Sequence, residues 1–480
     1  MIGRINGFLL LIEAIFMLPS LMLAIVDKNA KTAWAFAYTL MLLVAFGGLL
    51  LLLTRRAGRG FYSKEGLVSV GLSWILLSLF GCLPFRFSGE IPRFIDALFE
   101  IVSGFTTTGA SILSNVEALT RASMYWRCFS HWLGGMGVLV FLLAIAPIGG
   151  NSEGFTMHLL RAESPGPNVG KLVPKMRKTA VILYLIYIAL TGLNVIFLLF
   201  GRMSLFDALC TAFATAGTGG FGIKNDSLMS YSSYIQIVCT VFMLLFGINF
   251  SCYYLLLLGN LKSVWKDEEL RLYCSVVLGS IALITVNIFS RFGSLWDSLK
   301  HAAFQVSSII TTTGFVSDNF DAWPSFSKAI LLCLMAIGAC AGSTGGGLKC
   351  ARVLLLIKTM RRNIRQMIHP NCVRVIRVNG NSMDERLIAN TNAYFAVYAA
   401  FLVIGFLIVS LDQVSLITSF TSVLACFNNI GPGLDAVGPV CNYGHLNVAS
   451  KITLIVLMLA GRLEIFPILI LFGKNTWKRY

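Results

Sequence analysis

IDALFEIVSGFTTTGAS, residues 95–111, is semi-apolar and ends in three threonines and a glycine. A helix needs about 20 apolar residues to cross the hydrocarbon core of a bilayer, so this stretch is too short to span and has to enter and return. The pattern recurs as FDALCTAFATAGTGGFG (206–222), LKHAAFQVSSIITTTGFVSD (299–318) and ITSFTSVLACFNNIGPG (417–433), each between two longer apolar runs. That is an internal repeat. Counting back ten residues from Gly109 reaches Phe99 in Asp-Ala-Leu-Phe. The same count from Gly220 reaches Cys210 in Asp-Ala-Leu-Cys, from Gly314 it reaches Phe304, and from Gly431 it reaches Thr421. This register makes Gly109, Gly220, Gly314 and Gly431 equivalent and selects Gly220 over its neighbour Gly219.

The rest of the chain agrees with a membrane setting. With 480 residues, 56% hydrophobic, 12% charged and a mean hydropathy of +0.78, it has too little polar surface for a water-soluble globule. Ten apolar stretches are long enough to span, near residues 5–26, 34–54, 66–85, 124–147, 179–201, 233–260, 272–290, 327–358, 390–411 and 450–473. The first begins with Arg4 and has no small-residue cleavage site before Asp27, which reads as a retained helix rather than a signal peptide. Ten crossings put both termini on one side. If that side is the cytoplasm, about 25 of the 38 Lys and Arg face inward, chiefly around 55–64, 161–178, 262–271, 349–386 and 474–479, as the positive-inside rule requires. The organisation is then a two-helix N-terminal extension (1–60) followed by repeats at 61–150, 151–262, 263–372 and 373–480. The net charge of +16 is spread over short inter-span segments without the single basic face that nucleic acid needs. Twelve cysteines are scattered from Cys82 to Cys441 without a C-x-x-C pair, which argues against a disulfide framework or metal site.

By this sidedness all four short stretches dip in from the outer face. Backbone that leaves helical geometry inside a bilayer has unpaired carbonyls, tolerable only where protein or a water-filled cavity surrounds it. Four such segments meeting on one axis would form a ring of carbonyl oxygens able to replace the hydration shell of a bare cation. Glycine at the tightest point permits backbone conformations that side chains disfavour, and the short helices would aim their negative C-terminal ends at the axis. Asp96, Asp207 and Asp297, near the helix starts, read as N-caps rather than ion ligands.

Several longer stretches carry a resemblance: TTTGA, TGGFG, TTTGF and NNIGPG in the loops, with HWLGGMGVLV from His131, LLRAESPGP from Leu159, GSTGGGLK from Gly342 and GRLEIFP from Gly461. With these motifs over nearly its whole length the chain resembles the Trk/Ktr/HKT superfamily of cation transporters, in particular its TrkH/TrkG-type branch. The resemblance implies an all-α integral membrane protein of ten transmembrane helices, with four helix–pore loop–helix repeats around a pseudo-fourfold pore. It also implies potassium as the transported substrate, no prosthetic group, a homodimer in the bacterial inner membrane in contact with lipid, and a cytosolic TrkA-like regulatory partner. A nucleotide, NAD or ATP/ADP, would enter only through that partner. In this superfamily a glycine in every filter loop accompanies potassium selectivity, whereas serine in the first loop marks sodium-carrying plant relatives. Carried over by position, the ion would be lined by main-chain oxygens of Thr107, Thr108, Thr218, Gly219, Thr312, Thr313, Asn429 and Ile430, just before the four glycines.

The eighth span is interrupted by IGACAGSTGGG, residues 337–347, and each glycine costs a helix about 1 kcal/mol against alanine. The sequence predicts a break into a loop lying across the path below the filter, as the intramembrane gating loop does in the resembling family. Its residues are Gly338, Gly342, Ser343, Thr344, Gly345, Gly346, Gly347 and Lys349. A phosphate-binding P-loop needs Gly-Lys followed by Ser or Thr, whereas Gly347 is followed by Leu348, Lys349 and Cys350. Arg462, in the last span, faces either the pore or a carboxylate on another helix, because a central arginine costs about 2.5–3.5 kcal/mol on insertion scales. A secondary carrier would rest on mid-membrane carboxylates, for which Glu13 and Glu464 are the main candidates. A membrane enzyme would need a clustered set of catalytic groups, and His131, His158, His301, His369 and His445 form no such pattern.

Overall fold

The computed structural model describes residues 2–55, 63–137, 176–371, 374–473 and 476. LLRAESPGP, the end of HWLGGMGVLV and several of the basic residues counted above lie outside these. The regular secondary structure of the described residues is helical, apart from a small antiparallel hairpin of Arg377–Val378 with Asn381–Ser382.

Among the described residues six helices are long and apolar enough to cross a membrane unaided: Ile2–Val26, Ala30–Leu53, Lys64–Ser88, Ala180–Phe200, Glu268–Phe292 and Glu385–Asp412. The first two form an antiparallel hairpin whose turn is closed by Asn29, its side chain accepting from Thr32 N at 3.2 Å. A Cβ built on Gly7 would lie 3.0 Å from the Gly47 carbonyl, and one on Gly47 would lie 3.1 Å from that of Gly7. Glycine therefore sets the approach of the pair, as small residues do between membrane helices.

Of the four remaining spans expected from the sequence, three are interrupted, and the fourth, 124–147, lies within the described residues only as far as 137. Ser233–Phe246 turns by 89° at 247–249 into Phe250–Leu257. Ser325–Ile337 stops at Gly338, and the next helix starts at Cys350. Val448–Arg462 stops at Leu463, and Phe466–Phe472 follows after Glu464 and Ile465, both with positive φ (57° and 67°). Arg121–Gly135 ends at a glycine pair, with Gly137 at φ +77°. The sequence reading assigned a break to the eighth span alone. Among the described residues Arg121–Gly135, Ser233–Phe246, Ser325–Ile337 and Val448–Arg462 each end or bend at or next to a glycine, so the pattern is not that of one isolated weak segment. A Cβ on Gly134 would strike the Phe105 carbonyl, and one on Gly461 would strike that of Phe427.

The short helices are Phe94–Phe105, Leu205–Ala216, Leu295–Ile310 and Leu416–Phe427. The carboxylates expected as N-caps are not the caps. Ser204, Ser294 and Ser415 accept from the backbone N of Asp207, Asp297 and Thr418 at 3.1, 3.4 and 3.1 Å. A cap satisfies the N–H two or three residues on, which is where Asp207 and Asp297 sit. Asp96 instead accepts from Lys451 Nζ at 2.7 Å, with Lys451 almost wholly buried.

Candidate functional site

Each short helix ends four residues before its glycine, at Phe105, Ala216, Ile310 and Phe427. The chain then turns in the same way four times. Thr107, Thr218, Thr312 and Asn429 all have positive φ, between 54° and 59°, and Gly109, Gly220, Gly314 and Gly431 have φ between 73° and 95°. The intervening residue donates its N–H back into the helix: Thr108 to Ser103 O (2.8 Å), Gly219 to Ala214 O (2.9 Å), Thr313 to Ser308 O (2.8 Å) and Ile430 to Ala425 O (2.9 Å). Positive φ is rare outside glycine, so three threonines and an asparagine held there at one register mark the same backbone path.

The loops also meet. A Cβ on Gly109 would collide with the Gly219 carbonyl oxygen, one on Gly220 with that of Thr313, and one on Gly314 with that of Ile430. On Gly431 it would lie 2.6 Å from the Thr108 oxygen. The contacts run from loop one to two, two to three, three to four, and four back to one, so the loops close a ring with their carbonyls and glycines at the centre. Gly109, Gly220, Gly314 and Gly431 also border one cavity of ≈ 160 Å³, together with Arg127 and Tyr443.

The supports behind the ring are not fourfold. Loops one and three carry paired hydroxyls, Thr106 with Thr108 at 2.8 Å and Thr311 with Thr313 at 2.7 Å. Loop two is braced by the His131 ring, which stacks on Phe221 (4.0 Å between centroids) and leaves no room for a side chain at Gly219. In loop four Asn429 Nδ2 donates to Thr108 Oγ1 and to Met458 O, both at 3.0 Å, while Asn428 bonds the Tyr398 hydroxyl. Tyr443 donates to Gly431 O at 2.6 Å.

On the side of the ring away from the cavity lies the segment 338–349. Gly346 N donates to Thr312 Oγ1 at 2.7 Å. A Cβ on Gly345 would sit 2.8 Å from Thr311 O, and one on Gly346 would sit 2.7 Å from Asn428 O. The segment is tied to the bend of repeat two through Cys340 N to Gly247 O (3.1 Å), Phe250 N to Gly342 O (3.0 Å) and Thr344 Oγ1 to Phe246 O (3.2 Å). Glu269 clasps both its ends, accepting from Ala341 N at 2.5 Å and Ala351 N at 3.0 Å. Ser343 closes a local turn on Cys340 O at 2.6 Å, Gly347 packs on Gly338, and Lys349 donates to Gly345 O. Arg462 donates to Thr344 O at 2.8 Å, to Gly135 O at 2.7 Å and to Gly134 O. It therefore joins the segment to the end of the first repeat's second helix by main-chain acceptors. Glu464, by contrast, pairs with Arg352, whose guanidinium also lies 4.2 Å from the Tyr394 ring.

Comparison with known proteins agrees with this geometry over the same length. A family model described as TrkH, cation transport protein, matches residues 33–478. The Trk system potassium uptake protein TrkH of Salmonella typhimurium is 38% identical over 487 residues, covering 99% of each chain. The chain belongs to the TrkH family of cation transport proteins. TrkG of Escherichia coli K12 is 32% identical over 477 residues, covering 98% of this chain and 97% of its own. The crystal structure of the potassium transporter TrkH from Vibrio parahaemolyticus superposes with a TM-score of 0.88 at 32% identity, covering 99% of both chains. The TrkH family is one of transporters rather than enzymes.

Some of what holds this TrkH-family site escaped the sequence reading. Glu100 and Arg127, both essentially without exposure, pair at 2.6 Å. Glu100 also accepts from Ser111 Oγ and Ile112 N, each at 2.9 Å, and Arg127 donates to Gly222 O at 3.0 Å and lies 3.5 Å from the Phe221 ring. The pair thus ties the segment leaving loop one to that leaving loop two. Its signal was a charge of each sign in otherwise apolar or aromatic segments, since an intramembrane charge needs a partner. The Glu269 clasp carried no such signal, because Glu269 sits in an ordinary acidic first turn beside Glu268.

Proposed function

We propose that this protein carries potassium ions into the cell across the bacterial inner membrane through the four-loop ring, with segment 338–349 as its gate. The observation that carries the reading is the closed circuit of loop contacts at Gly109, Gly220, Gly314 and Gly431. Helix C-termini surround that circuit, and their carbonyl ends favour a cation. The TrkH and TrkG relatives are named as potassium uptake proteins, which selects potassium among monovalent ions. The ion sheds its water into main-chain oxygens of Thr107, Thr108, Thr218, Gly219, Thr312, Thr313, Asn429 and Ile430. In this reading each repeat's two outer helices cross the membrane around its pore loop, and with the two helices of the N-terminal extension they give ten crossings with both termini cytoplasmic.

Segment 338–349 lies directly under loops three and four, and Arg462 adds a fixed positive charge on the same side. Both oppose passage of a cation until the segment moves. A homodimer and a cytosolic TrkA-like nucleotide-binding partner supply the regulated assembly. Gly109→Ser is the test: in reconstituted vesicles sodium should compete with potassium uptake more effectively than in wild type. Unchanged ion competition, at normal protein level, would refute the assigned filter.

A further inference from the structure

The bend in repeat two has a second face. Helix Phe250–Leu257 lies at 89° to Ser233–Phe246, whose 14 residues reach about 21 Å into a core of about 30 Å. The next helix long enough to cross starts at Glu268, so the chain between the two comes out at one membrane face. The chain continues into Leu261–Lys266. Here Leu257 is 75% exposed, Leu261 56% and Trp265 76%, and the exposed Lys262 and Lys266 sit beside them. An element at a membrane face with apolar and tryptophan side chains outward and lysines alongside has the composition of a membrane-interface anchor.

We propose that residues 256–266 form a binding site for anionic phospholipid of the inner leaflet, and that its occupancy biases the gate. Lys262 and Lys266 take the lipid phosphate while Trp265 and Leu261 enter the acyl boundary. The sidedness comes from the positive-inside reading above, and the effect on flux rests on the proposed potassium transport. The coupling is through hydrogen bonds already described: the same bend presents Gly247 O to Cys340 N and Phe250 N to Gly342 O, at 3.1 and 3.0 Å. A surface helix held by lipid fixes the bend, and the bend holds two points of segment 338–349.

The full-length protein is reconstituted in vesicles of neutral phosphatidylcholine with or without phosphatidylglycerol, and potassium flux is read as the ratio between the two. Wild type should show a ratio different from one, and Lys262→Gln with Lys266→Gln should return it toward one, since each lysine near an anionic surface is worth roughly a fivefold change in occupancy. Independently of flux, brominated phosphatidylglycerol should quench tryptophan emission more than brominated phosphatidylcholine does, and Trp265→Phe should remove that excess. A ratio of one in wild type, or an unaltered ratio in the double variant, overturns the coupling. Equal quenching by both lipids overturns the site. Absence of any Trp265-dependent quenching also overturns it, in favour of a face covered by protein. Vesicles without flux but with the selective quenching would uphold the lipid site while counting against potassium transport.

Discussion

Loops one and three differ from loops two and four in what stands behind a common backbone. The first pair, both TTTG, brace themselves with hydroxyls from their own sequence, Thr106 to Thr108 and Thr311 to Thr313. The second pair borrow support from elsewhere: loop two from His131 on helix Arg121–Gly135, loop four from Tyr398, Tyr443 and the carbonyl of Met458. Backbone geometry is repeated four times while side-chain chemistry alternates. The lesson is that positive-φ residues and glycines define the ring, and that equivalent supports can be built from unlike residues.

The largest break in that comparison should come from alanine at the four glycines. Gly109→Ala, Gly220→Ala and Gly314→Ala each drive a methyl into a carbonyl oxygen of the next loop, which must shift, on top of about 1–3 kcal/mol of positive-φ strain. Potassium flux should fall severalfold in all three, leaving enough uptake to read ion competition as in Gly109→Ser. Gly431→Ala meets its carbonyl at 2.6 Å and should lose less flux than the other three, so identical loss in all four would argue for a stricter fourfold ring.

Arg127→Met comes next. It leaves Glu100 charged and buried, and breaking such a pair costs about 3–5 kcal/mol. Thermal unfolding in detergent should shift down strongly for the single variant and much less for Arg127→Met with Glu100→Gln, which removes both charges. A small shift in the single variant would mean that the segments leaving loops one and two do not depend on the pair.

Much of this was legible beforehand. The spacing of TTTGA, TGGFG, TTTGF and NNIGPG gave the glycine register, because a repeated backbone path leaves its mark where side chains are forbidden. The N-caps were misread because Asp and Ser are both capping residues, and only the distance to the N–H decides between them. The breaks in the other second helices were missed because Gly134, Gly247 and Gly461 resemble ordinary packing glycines until the carbonyl beside each is known. The long-range clasp by Glu269 and the reach of Arg462 to Thr344 and Gly135 depend on helix placement that no local pattern encodes.

A finer test separates the two hydroxyl-paired loops. Thr313→Val removes one hydroxyl contact, worth about 1 kcal/mol. Thr108→Val also deprives Asn429 Nδ2 of its acceptor across the ring and should lose roughly twice that. Equal thermal shifts would show that the bond between loops four and one contributes nothing.

The smallest effect concerns pH at the entrance of loop four. Hydroxyls of Ser415 and Thr418 hold the Asp435 carboxyl below the usual carboxylate range. A lowered folded-state value means that the stabilisation is present at neutral pH and is lost as pH falls through and below about 4. Thermal stability of wild type should therefore decline slightly more steeply on acidification than that of Asp435→Asn. Parallel curves would remove this contact from the fourth loop's supports.

Because one polypeptide supplies all four quadrants, a single codon change alters one quarter of the ring and spares the rest. In an assembly of four identical subunits the same change would strike every quarter at once. The contact of each glycine with the next loop's carbonyl therefore lets the ring change by small asymmetric steps, with three intact quadrants holding its shape while the fourth is remodelled.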